Sequence, residues 1–492
     1  MKHVSGKISS YFIPAFLIVI ILILGLSCSK SISNQEIMAK VGDRIITIEE
    51  FKSRIELTSR PEYEDADEAA TKNALLKNLI AEKCAALEAE DENPIQKNEN
   101  LLDQMQGIRE QAMRDVLYKR EAWDKVQIRK EAISTIYPLA GRIYTLAMHT
   151  FRDPEKANIL KRDMYTIDPK DRAKYLELFI GDKKMITREI PFQDLENPIV
   201  HDALFSRPLD IGEIVGPVQV EEKRFLVMKV LDRKDKPVIG PDGVRIRRRE
   251  TEDVLHRKAA GKVWAEYKLK MMRDKQLFFE KDPFMEIADY ILHELNPSKT
   301  ARNDERVFSK DFLQTAFFSI GDRVWTVGDF QEMLRTHPLV YRKKQFDNRD
   351  DFLIQFKYAV ADLIADVYLT QKAYDAGLDK SDVVMNKETM WRDAMISAYH
   401  MNQTVRSFPD REDFDPARMT GRGSYLEGYV DDLLNQYRNR ISVNLNALDE
   451  ISLPRPDRYA IQKNVPFPIP VPAFPNYTGN SDLIYHHTIQ NK

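Results

Sequence analysis

Two cysteines, Cys28 and Cys84, are all that the 492 residues contain, which excludes a scaffold built on disulfides. Glycine is scarce too, at 18 residues, about half the usual share of roughly 7%. Few glycines mean few tight turns, which disfavours sandwiches, barrels and propellers. Neither sign of charge is in excess: 74 Lys and Arg face 77 Asp and Glu, a net charge of -3. A nucleic-acid binder would show a basic surplus, so no nucleic-acid partner is expected. There is no HExxH, no cysteine pair and no Gly-rich phosphate loop, and neither a metal nor a cofactor is expected. The spacing of Ser, His and Asp suggests no hydrolytic triad. What is abundant is charge, 31% of residues, together with the good helix formers Lys, Glu, Arg, Ala and Leu. The length suggests about three domains.

One long apolar run exists, near the N-terminus. Lys2 and Lys7 precede Tyr11 to Leu26, an uncharged and mostly apolar stretch ending in Gly25-Leu26-Ser27-Cys28. This is the layout of a secretory signal, read as residues 1–27. Cys28 after a small residue resembles the bacterial lipoprotein cleavage site, with Leu24 one step further out than that family prefers. The resemblance implies lipidation at Cys28 and a chain outside the cytoplasmic membrane, lipid-anchored in the cell envelope to the inner or outer membrane. A retained transmembrane anchor and plain secretion are the other two readings. Cys84 lies in an amphipathic helical pattern and reads as a buried apolar residue.

The chain contains an internal repeat. Val41-Gly42-Asp43-Arg44-Ile45-Ile46-Thr47-Ile48-Glu49-Glu50-Phe51 recurs, at an offset of 279, as Ile320-Gly321-Asp322-Arg323-Val324-Trp325-Thr326-Val327-Gly328-Asp329-Phe330. Gly-Asp predicts a turn between two short strands. Thr47 or Thr326 fits a helix N-cap, with Glu50 or Asp329 completing a capping box three residues on. A longer amphipathic helix follows each copy, over 73–89 and over 351–376, with Gly377 as its C-cap. This duplicated unit resembles the N-terminal chaperone module of the SurA/PrsA-type periplasmic foldases.

Between the copies, 125–234 shows a mixed α/β pattern. Arg142 to Met148 alternates as a strand. Asp153-Pro154 opens a helix. Asp202-Ala203-Leu204-Phe205, Leu209, Gly212-Glu213-Ile214-Val215-Gly216-Pro217-Val218 and the strand Arg224 to Val230 then follow. This half resembles the C-terminal half of a parvulin-type (PpiC-type) peptidyl-prolyl cis-trans isomerase domain. The resemblance puts Thr145, Phe205, Phe225 and Leu226 at the parvulin pocket. The family's paired histidines would fall near Thr145 and at Leu226, and the "GG-x-LG" stretch is replaced by 180–187 with one glycine. No catalytic residue is therefore assigned. An isomerase must lower a rotation barrier of ~18–20 kcal/mol, and a domain without those groups reads as a peptide-binding module; retained slow isomerase activity is the alternative.

A long helix is expected from about Glu250 to Phe279, and a similar element over Tyr429–Ile441. By the same resemblance each returns to close its own repeat. Arg245-Ile246-Arg247-Arg248-Arg249 reads as a solvated helix face. Pro466, Pro468, Pro470, Pro472 and Pro475 force an extended tail, either loose or strapped into a groove. The expected fold is α+β and mostly α-helical: a duplicated SurA-N-like helical module around a parvulin-like α/β domain. Its parts are 28–124 (first module), 125–235 (parvulin-like domain), 236–300 (returning helix), 301–453 (second module) and 454–492 (Pro-rich tail). The implied function is a lipoprotein foldase or chaperone for unfolded or nascent extracytoplasmic polypeptides, secreted or outer-membrane. An active prolyl isomerase and a structural envelope-complex lipoprotein are the alternatives.

Overall fold

The computed structural model describes residues 36–59, 61, 67–89, 97–181, 185–195, 197–221, 224–295, 308–342, 345–346, 348–408, 423–453, 462 and 464–489. The apolar run and Cys28 lie outside these. Among the described residues, no helix is long and apolar enough to cross a membrane.

The hairpin β1 (Ile37–Val41) and β2 (Arg44–Thr47) leads into α1 (Ile48–Leu57), α2 (Glu68–Glu88) and α3 (Glu99–Glu121). Then come α4 (Lys130–Ile136), β3 (Arg142–Phe151), α5 (Pro154–Thr166), α6 (Arg172–Ile180), β4 (Ile186–Pro191), α7 (Pro198–Phe205), β5 (Ile214–Glu221) and β6 (Arg224–Asp235). The long α8 (Gly240–Met272) precedes β7 (Leu277–Phe279), α9 (Lys281–Leu295) and α10 (Lys310–Leu313). A second hairpin, β8 (Ala316–Ile320) and β9 (Arg323–Thr326), opens α11 (Val327–Thr336), α12 (Arg349–Asp375) and α13 (Asp382–Ser407). α14 (Gly423–Tyr437), β10 (Ile441–Val443), α15 (Leu445–Glu450) and β11 (His487–Thr488) complete the order. The fold is α+β and mostly helical, with small sheets. It divides into two compact units, one of residues up to Leu117 with those from Asp274 on, the other Tyr118–Arg273.

The first unit holds both repeats, and their hairpins match pair for pair. Val41 faces Arg44 and Ala39 faces Ile46, with a bulge before Ile37–Thr47. Ile320 faces Arg323 and Phe318 faces Trp325, with a bulge before Ala316–Thr326. Gly42 and Gly321 turn the chain at φ of +62° and +58°, a conformation that costs glycine little. Each hairpin has a third strand: β10 on β1 and β7 on β8.

The closing elements differ from expectation in two ways. Residues 277–279 form a strand, as Leu-Phe-Phe favours, and α8 ends at Met272. The closing partners also differ. The 429–441 element closes the first repeat, not the second, since α14 packs on α2 and β10 extends its sheet. α8 stays with its own unit, packing on α4 and its flanks. The apolar faces explain this. α14 buries Leu426, Val430, Leu433 and Leu434, whereas α8 offers only Val254 and Ala260 as buried apolar side chains. The long third helices are exchanged. α13 packs on α2, while Arg114 of α3 donates to Thr370 of α12 at 2.7 Å.

The second unit is a four-stranded antiparallel sheet in the order β4-β3-β6-β5. One face packs Tyr144, Leu146, Phe205, Leu226 and Met228 with Val254 of α8. The other packs Phe151, Leu160, Leu176 and Val227. Arg245, Arg248 and Arg249 are exposed on α8.

Candidate functional site

The first candidate is an apolar pocket of about 280 Å³ in the second repeat. α9 supplies Ile287, Tyr290 and Ile291, α11 supplies Val327, Phe330, Gln331 and Leu334, and Phe308 and Leu313 close one side. α11 is aimed by its N-terminus: Thr326 accepts from the Asp329 amide at 3.1 Å and the Asp329 carboxylate accepts from the Thr326 amide at 2.8 Å, a full capping box. Phe330 is held from behind by Phe317, with ring centroids 4.6 Å apart, and Phe317 lies edge-on to Phe279 of β7. No charged side chain lines the pocket, and Gln331 sits exposed at its rim. Such a site binds apolar side chains by burial alone, without selecting a sequence.

The second candidate is the four-stranded sheet of the second unit. Its four expected positions do not converge. Phe205 and Leu226 share one core face, and both are buried there. Phe225, next along β6, points to the opposite face beside Phe151 and Val227, as strand alternation requires. Thr145 pairs with Asp232 and Glu189, six residues along β6 from Leu226, or roughly 20 Å. The β3 residue opposite Leu226 is Thr150. Thr145 is thus not the β3 neighbour of Leu226. His149 faces Val227 and lies edge-on to Phe151.

The sequence gives no hint of the titratable group found beside Phe205. His201 on α7 is buried between the Phe192 and Phe205 rings. Its Nε2 lies 2.8 Å from the Phe192 carbonyl and its Nδ1 lies 3.1 Å from Lys258 Nζ of α8. This network assigns the proton to Nε2 and leaves Nδ1 to accept from the ammonium. Burial and the Lys258 charge push its pKa down to about 4. The imidazole is neutral and clamps α7 to α8.

The chain matches no family model and no curated protein.

The third candidate lies in the first repeat, where the Pro-rich tail is a strap rather than a loose end. Of the tail, 454–461 falls outside the described residues. Beyond it, Phe467 donates to Gln111 at 2.9 Å and Gln111 donates back to the Phe467 carbonyl at 3.0 Å. Asn78 accepts from the amides of Tyr477 and Thr478 at 2.6 and 3.2 Å and donates to the Thr478 carbonyl at 2.8 Å. Arg54 donates to the Ala473 carbonyl at 2.7 Å. All these bonds read main chain, while Phe474 and Tyr477 of the same segment are buried in the first repeat's apolar core. Gly107 makes room for it: a Cβ there would come within 2.4 Å of the Phe467 ring.

Beneath the strap is a buried ion network. Arg54 pairs with Glu82 at 2.8 Å, Lys83 with Glu50 at 3.0 Å and with Asp393 at 3.3 Å, and Arg44 with Asp393 at 3.1 Å. Burial opposes the charged Lys83 amine, but Glu50, Asp393 and Glu82 outweigh it and hold its pKa above the ordinary value. Cys84, beside them, is buried, and burial pushes its thiol up to about 12; it is unreactive core. Among the described residues no acidic, His or Cys group is arranged to hold a metal. Sequence singles out Glu50 as a capping-box residue, but its carboxylate joins this network instead; Arg54, Glu82, Lys83 and Asp393 carry no such local sign. One signal for them existed: Leu79-Ile80-Ala81-Glu82 recurs as Leu363-Ile364-Ala365-Asp366, placing an inward carboxylate in both long helices.

Proposed function

We propose that the protein is an extracytoplasmic foldase or chaperone, lipid-anchored through Cys28, that holds unfolded or nascent secreted and outer-membrane polypeptides. The observation that carries this reading is the open pocket of the second repeat, lined without a single charge. It gives an unfolded chain a place to bury apolar side chains. The first repeat adds a second kind of support: it already grips an extended, Pro-rich segment through main-chain bonds. The parvulin-like domain serves as a peptide-binding module of the SurA/PrsA type. Leu226 and its cross-strand neighbour Thr150 put no imidazole where the family's paired histidines would stand, which supports peptide binding over isomerase catalysis.

The test uses the full chain lacking its leader. It should suppress aggregation of a chemically unfolded client at near-equimolar ratio, and leave the rate of a protease-coupled prolyl isomerisation assay unchanged. No suppression, together with no binding of unfolded client, would refute the proposal.

A further inference from the structure

The sheets of the two repeats are alike except at one edge. In the first, β11 adds to the outer edge of β10: the His486 amide donates to the Ile441 carbonyl at 3.0 Å and the Ile489 amide to the Val443 carbonyl at 2.8 Å, with His487 paired to Ser442 in parallel. The repeat places Leu277, Phe278 and Phe279 of β7 where Ile441, Ser442 and Val443 stand. Each middle residue faces the repeat's central strand, Phe278 at Ser319 and Ser442 at Lys40. The Glu280 amide donates to Phe317 at 2.9 Å, as the Asn444 amide does to Met38 at 2.9 Å. Yet among the described residues no strand pairs with the outer edge of β7.

An exposed edge with free main-chain groups is a template for another strand. The side chains beside it are also altered. Across the solvent face run Phe278, Ser319 and Val324, with Phe278 60% and Val324 58% exposed. The corresponding row in the first repeat is Ser442, Lys40 and Ile45.

We propose that the β7 edge takes an extended segment of an unfolded polypeptide as an added parallel strand, in the place that β11 fills on β10. The segment carries an aromatic or aliphatic side chain at the position lying against Phe278. What argues for this occupant is the chain's own use of the equivalent edge, which holds an extended segment in the register just described. The inference rests on the chaperone reading and adds the mode of capture: main-chain pairing at the edge, with apolar burial in the neighbouring pocket.

The experiment is amide hydrogen exchange on the full chain lacking its leader, with a peptide of residues 483–489 bearing His487→Phe, beside an aggregation-suppression assay. The peptide should slow exchange at 277–279 by about 10-fold or more, and the same peptide with His487→Asp should bind at least about tenfold more weakly, a difference of 1.4 kcal/mol. Phe279→Pro, which removes an edge amide, should abolish the protection; if that variant does not fold, the exchange comparison between the two peptides decides alone. Aggregation suppression without protection at 277–279, or protection only at 441–443, overturns the edge proposal and leaves the chaperone reading standing. Protection at 277–279 without peptide, rising with protein concentration, would give the edge to a second copy and overturn it too. Absence of both suppression and peptide binding overturns both.

Discussion

Glu50 in the first repeat turns its carboxylate inward, 3.0 Å from Lys83. Asp329, at the same place in the second, turns outward and completes its helix cap. The divergence continues around each site. Arg54 has Met333 as its counterpart, and Lys83 has Val367, two residues after the shared Leu-Ile-Ala stretch. Arg44 reaches the buried Asp393, whereas Arg323 lies over the Trp325 ring at 3.7 Å. In the second repeat the carboxylate of Asp366 is met by His337 at 2.8 Å, and the interior is filled by phenylalanines, Phe352 and Phe356 stacked among them. One backbone plan thus supports two interiors. The ionic one is closed, strapped and edge-capped. The aromatic one keeps a pocket and an uncapped edge.

The largest predicted effect lies in that shared position. Glu50→Ala removes the nearest carboxylate from buried Lys83, leaving Asp393 and Glu82 to hold it, and should cost about 3 kcal/mol, while Asp329→Ala removes only a cap and should cost about 1 kcal/mol; guanidinium melts of the two variants measure the difference. Equal losses would erase the distinction between the interiors.

The second prediction probes the other unit and should leave both repeats untouched. His201 is neutral in the fold, with a pKa near 4 against about 6.5 when unfolded. Between those values the unfolded chain takes up a proton that the fold refuses, so stability falls as pH drops from 6.5 to 4. Measured against His201→Gln, wild type should lose roughly 3 kcal/mol of stability as pH falls across that window, and the difference should stay level above it, read by denaturant melts at stepped pH.

A smaller effect tests the strap. Asn78→Ala leaves main-chain groups of Tyr477 and Thr478 without partners, at roughly 2 kcal/mol. Limited proteolysis should then cut within 464–489 faster than in wild type, with α11 and α12 unaffected.

The hairpin–helix repeat was legible because its determinants are local. The Gly-Asp turns, the Thr caps and the strand lengths are written within a dozen residues, and they formed at the expected positions. The Asp153 cap, which accepts from the Glu155 amide at 2.9 Å, was legible for the same reason. What closes each repeat was not. β10 lies some 400 residues from β1, and the choice between α8 and α14 rests on matching apolar faces that no local pattern compares. The candidate pocket was equally hidden, since α9, α10 and α11 meet only in three dimensions. The place of Thr145 in its sheet was hidden too, because a strand's register is fixed by its neighbours, here Asp232 and Glu189.

The division of labour between the repeats is tested most directly by a photo-crosslinker placed at Gln331 and, separately, at Lys52, exposed residues at equivalent points of α11 and α1. With an unfolded client present, the probe at 331 should give a strong client adduct and the probe at 52 none above background. Equal labelling from both positions, or labelling from 52 alone, would contradict the account.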